Sequence, residues 1–159
     1  MTAGRLLRLA TASECGSLSA LALRSKAYWG YDPLFLQACR EELTVDPKAA
    51  TAGRVVVLVE EETTLGFYAL SPGERREEAE ISLLFVEPAV IGHGIGRALW
   101  EHAVAKARAQ GLKRLKVLSD PFALGFYRAV GATLSGKIRS AVRAPDGSER
   151  CLPVLHFEL

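Results

Sequence analysis

Long apolar runs are missing from this sequence. Nowhere do apolar residues approach the ~20 that a membrane-spanning helix needs, and the start, Met1-Thr2-Ala3-Gly4-Arg5, leads into no signal-like stretch. No membrane partner is expected, and the cytoplasm is the expected location. Cysteine is scarce too. Cys15, Cys39 and Cys151 are odd in number and match no zinc spacing. They read as thiols in a reducing compartment, which excludes a disulfide framework. His93, His102 and His156 supply no pair at metal-ligand spacing, so no metal is expected. The net charge is only +2, and no basic run is interleaved with aromatics, which gives nucleic acid no footing. Repeats, low-complexity tracts and linkers are absent as well. The chain, residues 1–159, is therefore expected to form a single domain with a sizeable core.

What is present is a regular alternation of elements. Arg5 to Leu9 reads as a short strand. Thr11 or Ser13 can cap a helix that puts Leu18, Leu21, Ala22 and Tyr28 on or near one face. Asp32-Pro33 is an N-cap followed by proline at the first helical position, and opens a second helix to about Leu43. Arg54 to Glu60 and Thr64 to Leu70 form a hairpin. After a charged loop, Glu74 to Glu78, a strand runs from Glu80 to Val86. A helix starting near Gly94 carries Ile95, Ala98, Leu99, Ala103 and Ala107 as its apolar stripe and ends at Gln110-Gly111. Leu115 to Leu118 is a strand and Pro121 to Val130 a short helix. Thr133 to Arg143 and Cys151 to Phe157 close the chain as a hairpin turned at Ala144-Pro145-Asp146-Gly147. The unit from Glu80 to Leu118 should make a parallel crossover, flanked by antiparallel hairpins.

The run Gly92-His93-Gly94-Ile95-Gly96-Arg97 falls between a strand and a helix start. Unpaired amides and the positive end of the helix dipole make such a turn an anion site, and glycine lets the backbone approach a phosphate. A P-loop requires Gly-Lys-Ser/Thr, and the chain has Gly96-Arg97-Ala98. A dinucleotide fingerprint requires glycine where Arg97 stands. Both are excluded.

A third pattern fits. Gly94-Ile95-Gly96 followed by Arg97-Ala98-Leu99 is joined, about 24 residues on, by Asp120-Pro121-Phe122-Ala123-Leu124-Gly125-Phe126-Tyr127-Arg128-Ala129-Val130-Gly131-Ala132. With these two signatures, Ala79 to Ala132 resembles the core of the GNAT acetyltransferase superfamily. Ile91 stands where that family usually has Gln or Arg, Asp120 stands for Asn, and Ala132 for Phe. The resemblance implies an α/β (mixed α+β) fold: a twisted, mostly antiparallel sheet of about seven strands with a central splayed parallel pair and about four helices. It also implies direct transfer of an acetyl group from acetyl-CoA to a primary amine of a small molecule or protein. The alternative is a CoA-binding regulatory or interaction module that keeps the fold without catalysis.

By the same resemblance, amides of the segment Ile91, Gly92, His93, Gly94, Ile95, Gly96 and Arg97 would hold the CoA pyrophosphate. Leu84, Phe85 and Val86 would line the pantetheine arm, with an amide near Phe85 or Val86 beside the carbonyl oxygen. Asp120 would contact the cofactor, and Tyr127 would point its hydroxyl at the sulfur as the acid. Ala79-Glu80-Ile81 resembles the Ala-Glu-Ile of the histone-acetyltransferase branch, which makes Glu80 the candidate base, directly or through water. Trp29, Tyr31 and Asp32 could receive a cationic amine, or simply staple and cap the second helix. His156, on the last strand, could border the acceptor channel. The expected partners are acetyl-CoA and an amine acceptor, and a homodimer through an edge strand is compatible with such a fold.

Overall fold

Val55-Val56-Val57-Leu58 sets the layering. All four side chains are buried although they alternate in direction, so this strand is covered on both faces. In the computed structural model, which describes residues 4–159, the strand is β2 (Val55–Glu60). It lies in a seven-stranded sheet with β1 (Arg5–Leu9), β3 (Thr63–Pro72), β4 (Glu78–Val86), β5 (Arg114–Leu118), β6 (Thr133–Arg139) and β7 (Cys151–Glu158). The order across the sheet is β1-β2-β3-β4-β5-β7-β6, and only β4 and β5 run parallel. Met1 to Ala3, part of the start read above as carrying no leader, lie outside the described residues.

Among the described residues five α-helices cover the sheet: α1 (Cys15–Ala27), α2 (Pro33–Cys39), α3 (Pro47–Thr51), α4 (Ile95–Ala109) and α5 (Leu124–Ala129). One apolar cluster joins α1, α2 and α3 to Val55, Val57 and Phe67. The other joins α4 and α5 to Val56, Leu58, Tyr68, Ile81, Leu115 and Leu155. Before α1, the Glu14 carboxylate accepts the Thr11 N–H at 2.9 Å and is gripped by Arg8 at 2.8 and 2.9 Å. These contacts satisfy an otherwise orphaned donor at the helix start. The hydrogen bonds from Arg8, helped by the Thr11 N–H and opposed by burial, hold the Glu14 carboxyl down at about 2.

Several boundaries differ from expectation. The sequence suggests about four helices. The additional one, α3, starts at Asp46-Pro47, where Asp46 Oδ1 accepts the Lys48 N–H at 2.9 Å. Helix α2 ends at Cys39 rather than Leu43, and Tyr28 is exposed rather than part of the apolar face of α1. Strand β4 begins at Glu78, which is buried rather than part of a solvated loop. Strand β6 ends at Arg139. The tight turn expected over Ala144 to Gly147 is present, with Gly147 N–H donating to Ala144 O at 2.8 Å.

The feature that positions the site is the parting of β4 from β5. They pair from Glu78↔Arg114 to Ile81↔Val117 and no further. At that point Ser82 is an extra residue on β4, because Ile81 faces Leu70 while Leu83 faces Ala69. Such a bulge bends a strand and sharpens its twist. Beyond it, β4 continues to Val86 with β3 on one side and open space on the other.

Candidate active site

A cavity of about 510 Å³ fills the parting of β4 and β5. That is within the range of pockets that take small molecules and cofactors. Its floor is β4 from Ile81 to Val86, which includes Leu84, Phe85 and Val86. One end is the turn before α4, with Ile91, Gly92, Gly94, Ile95, Gly96 and Arg97 on the wall. Gly92 and Gly94 have φ of +87° and +82°, the left-handed region that glycine enters without strain. A Cβ at either would meet nothing within 4 Å, so both glycines face open space. The turn thus presents bare backbone and the start of a 15-residue helix to the cavity, which fits an anionic group such as a pyrophosphate. Gly96 has a further reason. A Cβ there would lie 3.0 Å from Phe126 Cε1, so the first turn of α4 packs directly on α5.

The far end lies between α5 and the segment joining α1 to α2. Tyr127 reaches the cavity from α5 and packs edge-on against Trp100 and Phe126. Burial, with a smaller contribution from the Asp120 carboxylate, pushes its hydroxyl well above the usual phenol range. It therefore keeps its proton, and can donate a hydrogen bond, at any pH near neutrality. Lys26 and Trp29 also reach the cavity, from α1 and the residues just after it. Trp29 stacks flat on Phe122, ring centroids 5.3 Å apart, and these half-exposed rings form the rim.

Asp120 follows β5 by two residues and lines the cavity, yet its oxygens are occupied by the protein. Oδ1 caps the turn at Pro121–Ala123 through Phe122 N–H at 2.9 Å. Oδ2 accepts from Lys26 Nζ at 3.0 Å, Tyr31 Oη at 3.0 Å and Arg150 Nη2 at 3.1 Å. Tyr31 is thereby a support for Asp120 rather than a wall of the cavity. Burial, then the neighbouring Asp120 charge, pushes its hydroxyl up to about 12.

The structure also separates residues that sequence reasoning grouped. Asp32 caps α2 by accepting the Phe35 N–H at 2.8 Å, and lies outside the cavity. The helix-cap alternative therefore describes it. His93 is exposed and off the cavity wall, and its N–H is turned to Val90 O at 3.2 Å. His156 lies on the sheet beside Lys116, with Nδ1 2.6 Å from Ser135 Oγ, also outside the cavity. Glu80 is next to the wall residue Ile81 but alternates to the face shared with Lys116. Its carboxyl is raised, mainly by burial, with Lys116 opposing and Glu74 and Glu78 adding to the rise. Lys26, Phe122 and Arg150 escaped sequence reasoning. Their common partner Asp120 is 94 residues from Lys26 and 30 from Arg150, and no local pattern encodes such pairs. Among the described residues there is no group of three or more His, Cys, Asp or Glu able to hold a metal ion, and no helix is long and apolar enough to cross a membrane.

This geometry has relatives. The chain is 31% identical over 86 residues to serotonin N-acetyltransferase 2, chloroplastic, of Oryza sativa subsp. japonica, and the match covers 54% of this chain and 38% of the rice protein. Its fold is shared with the PaiA N-acetyltransferase of Thermoplasma acidophilum in complex with coenzyme A, at TM-score 0.76 and 13% identity, over 98% of this chain and 99% of that one. The yncA protein of Salmonella typhimurium, with its cofactor acetyl-CoA, gives TM-score 0.74 at 17% identity over 98% and 94%. The sequence profile described as the acetyltransferase (GNAT) family matches residues 21–132, well over half of the chain. With the splayed sheet and the glycine turn, that match establishes that the chain belongs to the GNAT acetyltransferase family.

Proposed function

We propose that the protein transfers the acetyl group of acetyl-CoA directly to a primary amine of a small molecule or a protein. The observation that carries this reading is one continuous cavity. It runs from the bare backbone of Gly92 and Gly94, along the unpaired side of β4, to the buried hydroxyl of Tyr127.

Acetyl-CoA supplies an activated carbonyl and a thiolate leaving group. The amides of the turn and the start of α4 would hold its pyrophosphate. The β4 edge from Leu84 to Val86 would pair with the pantetheine arm as a missing strand would. An amide near Phe85 or Val86 would donate to the carbonyl oxygen as charge gathers there. An alkylamine has a pKa near ~10.4, so only about one molecule in a thousand is nucleophilic at neutral pH. The reaction forms a C–N bond, breaks the C–S bond, and must remove one proton from nitrogen. Glu80, held above the ordinary carboxylate range, is suited to take it through water, because its side chain does not line the cavity. A phenol above 10.0 does not readily surrender its proton to a thiolate of pKa near ~8.5. The role assigned to Tyr127 is therefore a hydrogen bond that neutralises charge on the departing sulfur.

The test is release of CoA thiol from acetyl-CoA against a panel of amines, including serotonin, the amine in the rice relative's name. Tyr127→Phe should lower turnover about 10–100-fold, the worth of one hydrogen bond to a charged atom, with acetyl-CoA affinity by calorimetry little changed. Tight binding of acetyl-CoA without thiol release across the panel would instead favour a CoA-binding module.

A further inference from the structure

Lys26 and Arg150 share a single carboxylate. Both are buried, each 7% exposed, and among the described residues Asp120 is the only acidic group within salt-bridge distance of either. The two cations also share the ring of Phe35, with Lys26 Nζ 5.8 Å and Arg150 Cζ 5.1 Å from its centroid, and Lys26 lies 5.4 Å from the Tyr31 centroid. Tyr31 donates to Asp120 as a neutral hydroxyl and adds no charge. The cluster therefore carries one positive charge in excess, in a place largely screened from water. An uncompensated buried charge is costly, and aromatic faces offset only part of that cost. Arg150 is packed beneath Phe35 with a second contact to Ser140 Oγ at 3.5 Å. Of these two cations, Lys26 is the one that lines the cavity. Its ammonium has three donors and one of them is spent on Asp120.

We propose that Lys26 pairs with a carboxylate of the acceptor, so that the preferred substrate is a small molecule carrying both an amine and a carboxylate. The proposal rests on the acetyl-transfer reading and adds the acceptor's class. One excess charge matches a monoanion, whereas a dianionic phosphate would overcompensate it. The same excess disfavours polyamines, whose further ammonium groups would be brought against Lys26 and Arg150. It also favours the neutral, nucleophilic form of the acceptor amine, because a nearby cation lowers an amine's pKa.

Two matched pairs of probes, each differing only by the carboxylate, test this. The first measurement is calorimetric binding of N-acetylphenylalanine and N-acetyl-2-phenylethylamine to the protein saturated with CoA. It does not depend on turnover. The acid should bind about tenfold tighter or more, the usual worth of a charge-assisted hydrogen bond. Equal affinity, preference for the uncharged member, or no binding of either overturns the proposal. The second is kcat/KM for phenylalanine, 2-phenylethylamine and spermidine. Preference for phenylalanine supports the proposal, and preference for spermidine overturns it. Absence of turnover with all three counts against the acetyl-transfer reading and leaves the binding arm to decide the other. Lys26→Gln should bring the affinity ratio of the first pair close to one, and Lys26→Arg should restore most of it. A ratio unaltered in Lys26→Gln overturns the proposal. If that variant does not fold, the wild-type comparison still decides.

Discussion

At the scale of single residues, Glu80 carries the clearest pH prediction. Its carboxyl is raised by burial, so it holds its proton at pH values where an exposed glutamate has lost it. A base works only when deprotonated, and the acid limb of kcat at saturating acceptor should therefore lie above the ordinary carboxylate range. Glu80→Gln should lower kcat about 10²–10⁴-fold and remove that limb. A profile unchanged in the variant would take the role away from Glu80. The position of Tyr127 at the cavity was legible in the sequence because a motif fixes it. The role of Asp120 was not. Seen alone it is a departure from Asn; its reason lies in Lys26 and Arg150, which only folding brings to it.

At the scale of elements, the turn before α4 combines two demands that glycine meets differently. Gly94 needs its left-handed backbone, and Gly96 needs its missing Cβ. Gly94→Ala should cost about 1–2 kcal/mol in stability, the penalty of an L-residue at positive φ, and should weaken acetyl-CoA binding. Thermal unfolding and calorimetry would measure the two, and unchanged affinity would count against the turn as a phosphate cradle. Strands and long helices were readable because their periodicity repeats over many residues. Helix α3 was passed over because five residues show no periodicity, although Asp46-Pro47 repeats the signal used at Asp32-Pro33. The bulge at Ser82 had no signal at all, since it is defined by the register of β4 on β3.

At the scale of the whole molecule, the Asp120 cluster ties together three parts of the chain: the α1–α2 region through Lys26 and Tyr31, the end of β5, and the segment before β7 through Arg150. Asp120→Asn would leave two buried cations without a counter-charge. It should destabilise the fold by about 3–5 kcal/mol, read as a lower midpoint in chemical denaturation. Combining it with Lys26→Met should recover part of that loss, and strict additivity of the two would show that the charges do not interact. Apart from α3, the order of elements and the mostly antiparallel sheet were legible in the sequence. The balance of charge in the interior was not, because a net charge of +2 says nothing about where individual charges meet.

The parting of β4 from β5 also bears on solubility. From Ser82 to Val86, β4 has an uncovered side in the middle of the sheet, with apolar side chains around it. An unpaired strand at the rim of a sheet invites pairing with another chain. Here the same exposed backbone sits at the bottom of a wedge, between α4, α5 and the end of β5. A slender thread can enter such a wedge, but a strand with neighbours of its own cannot. The fold thus keeps a reactive edge available to a ligand while shielding it from self-association.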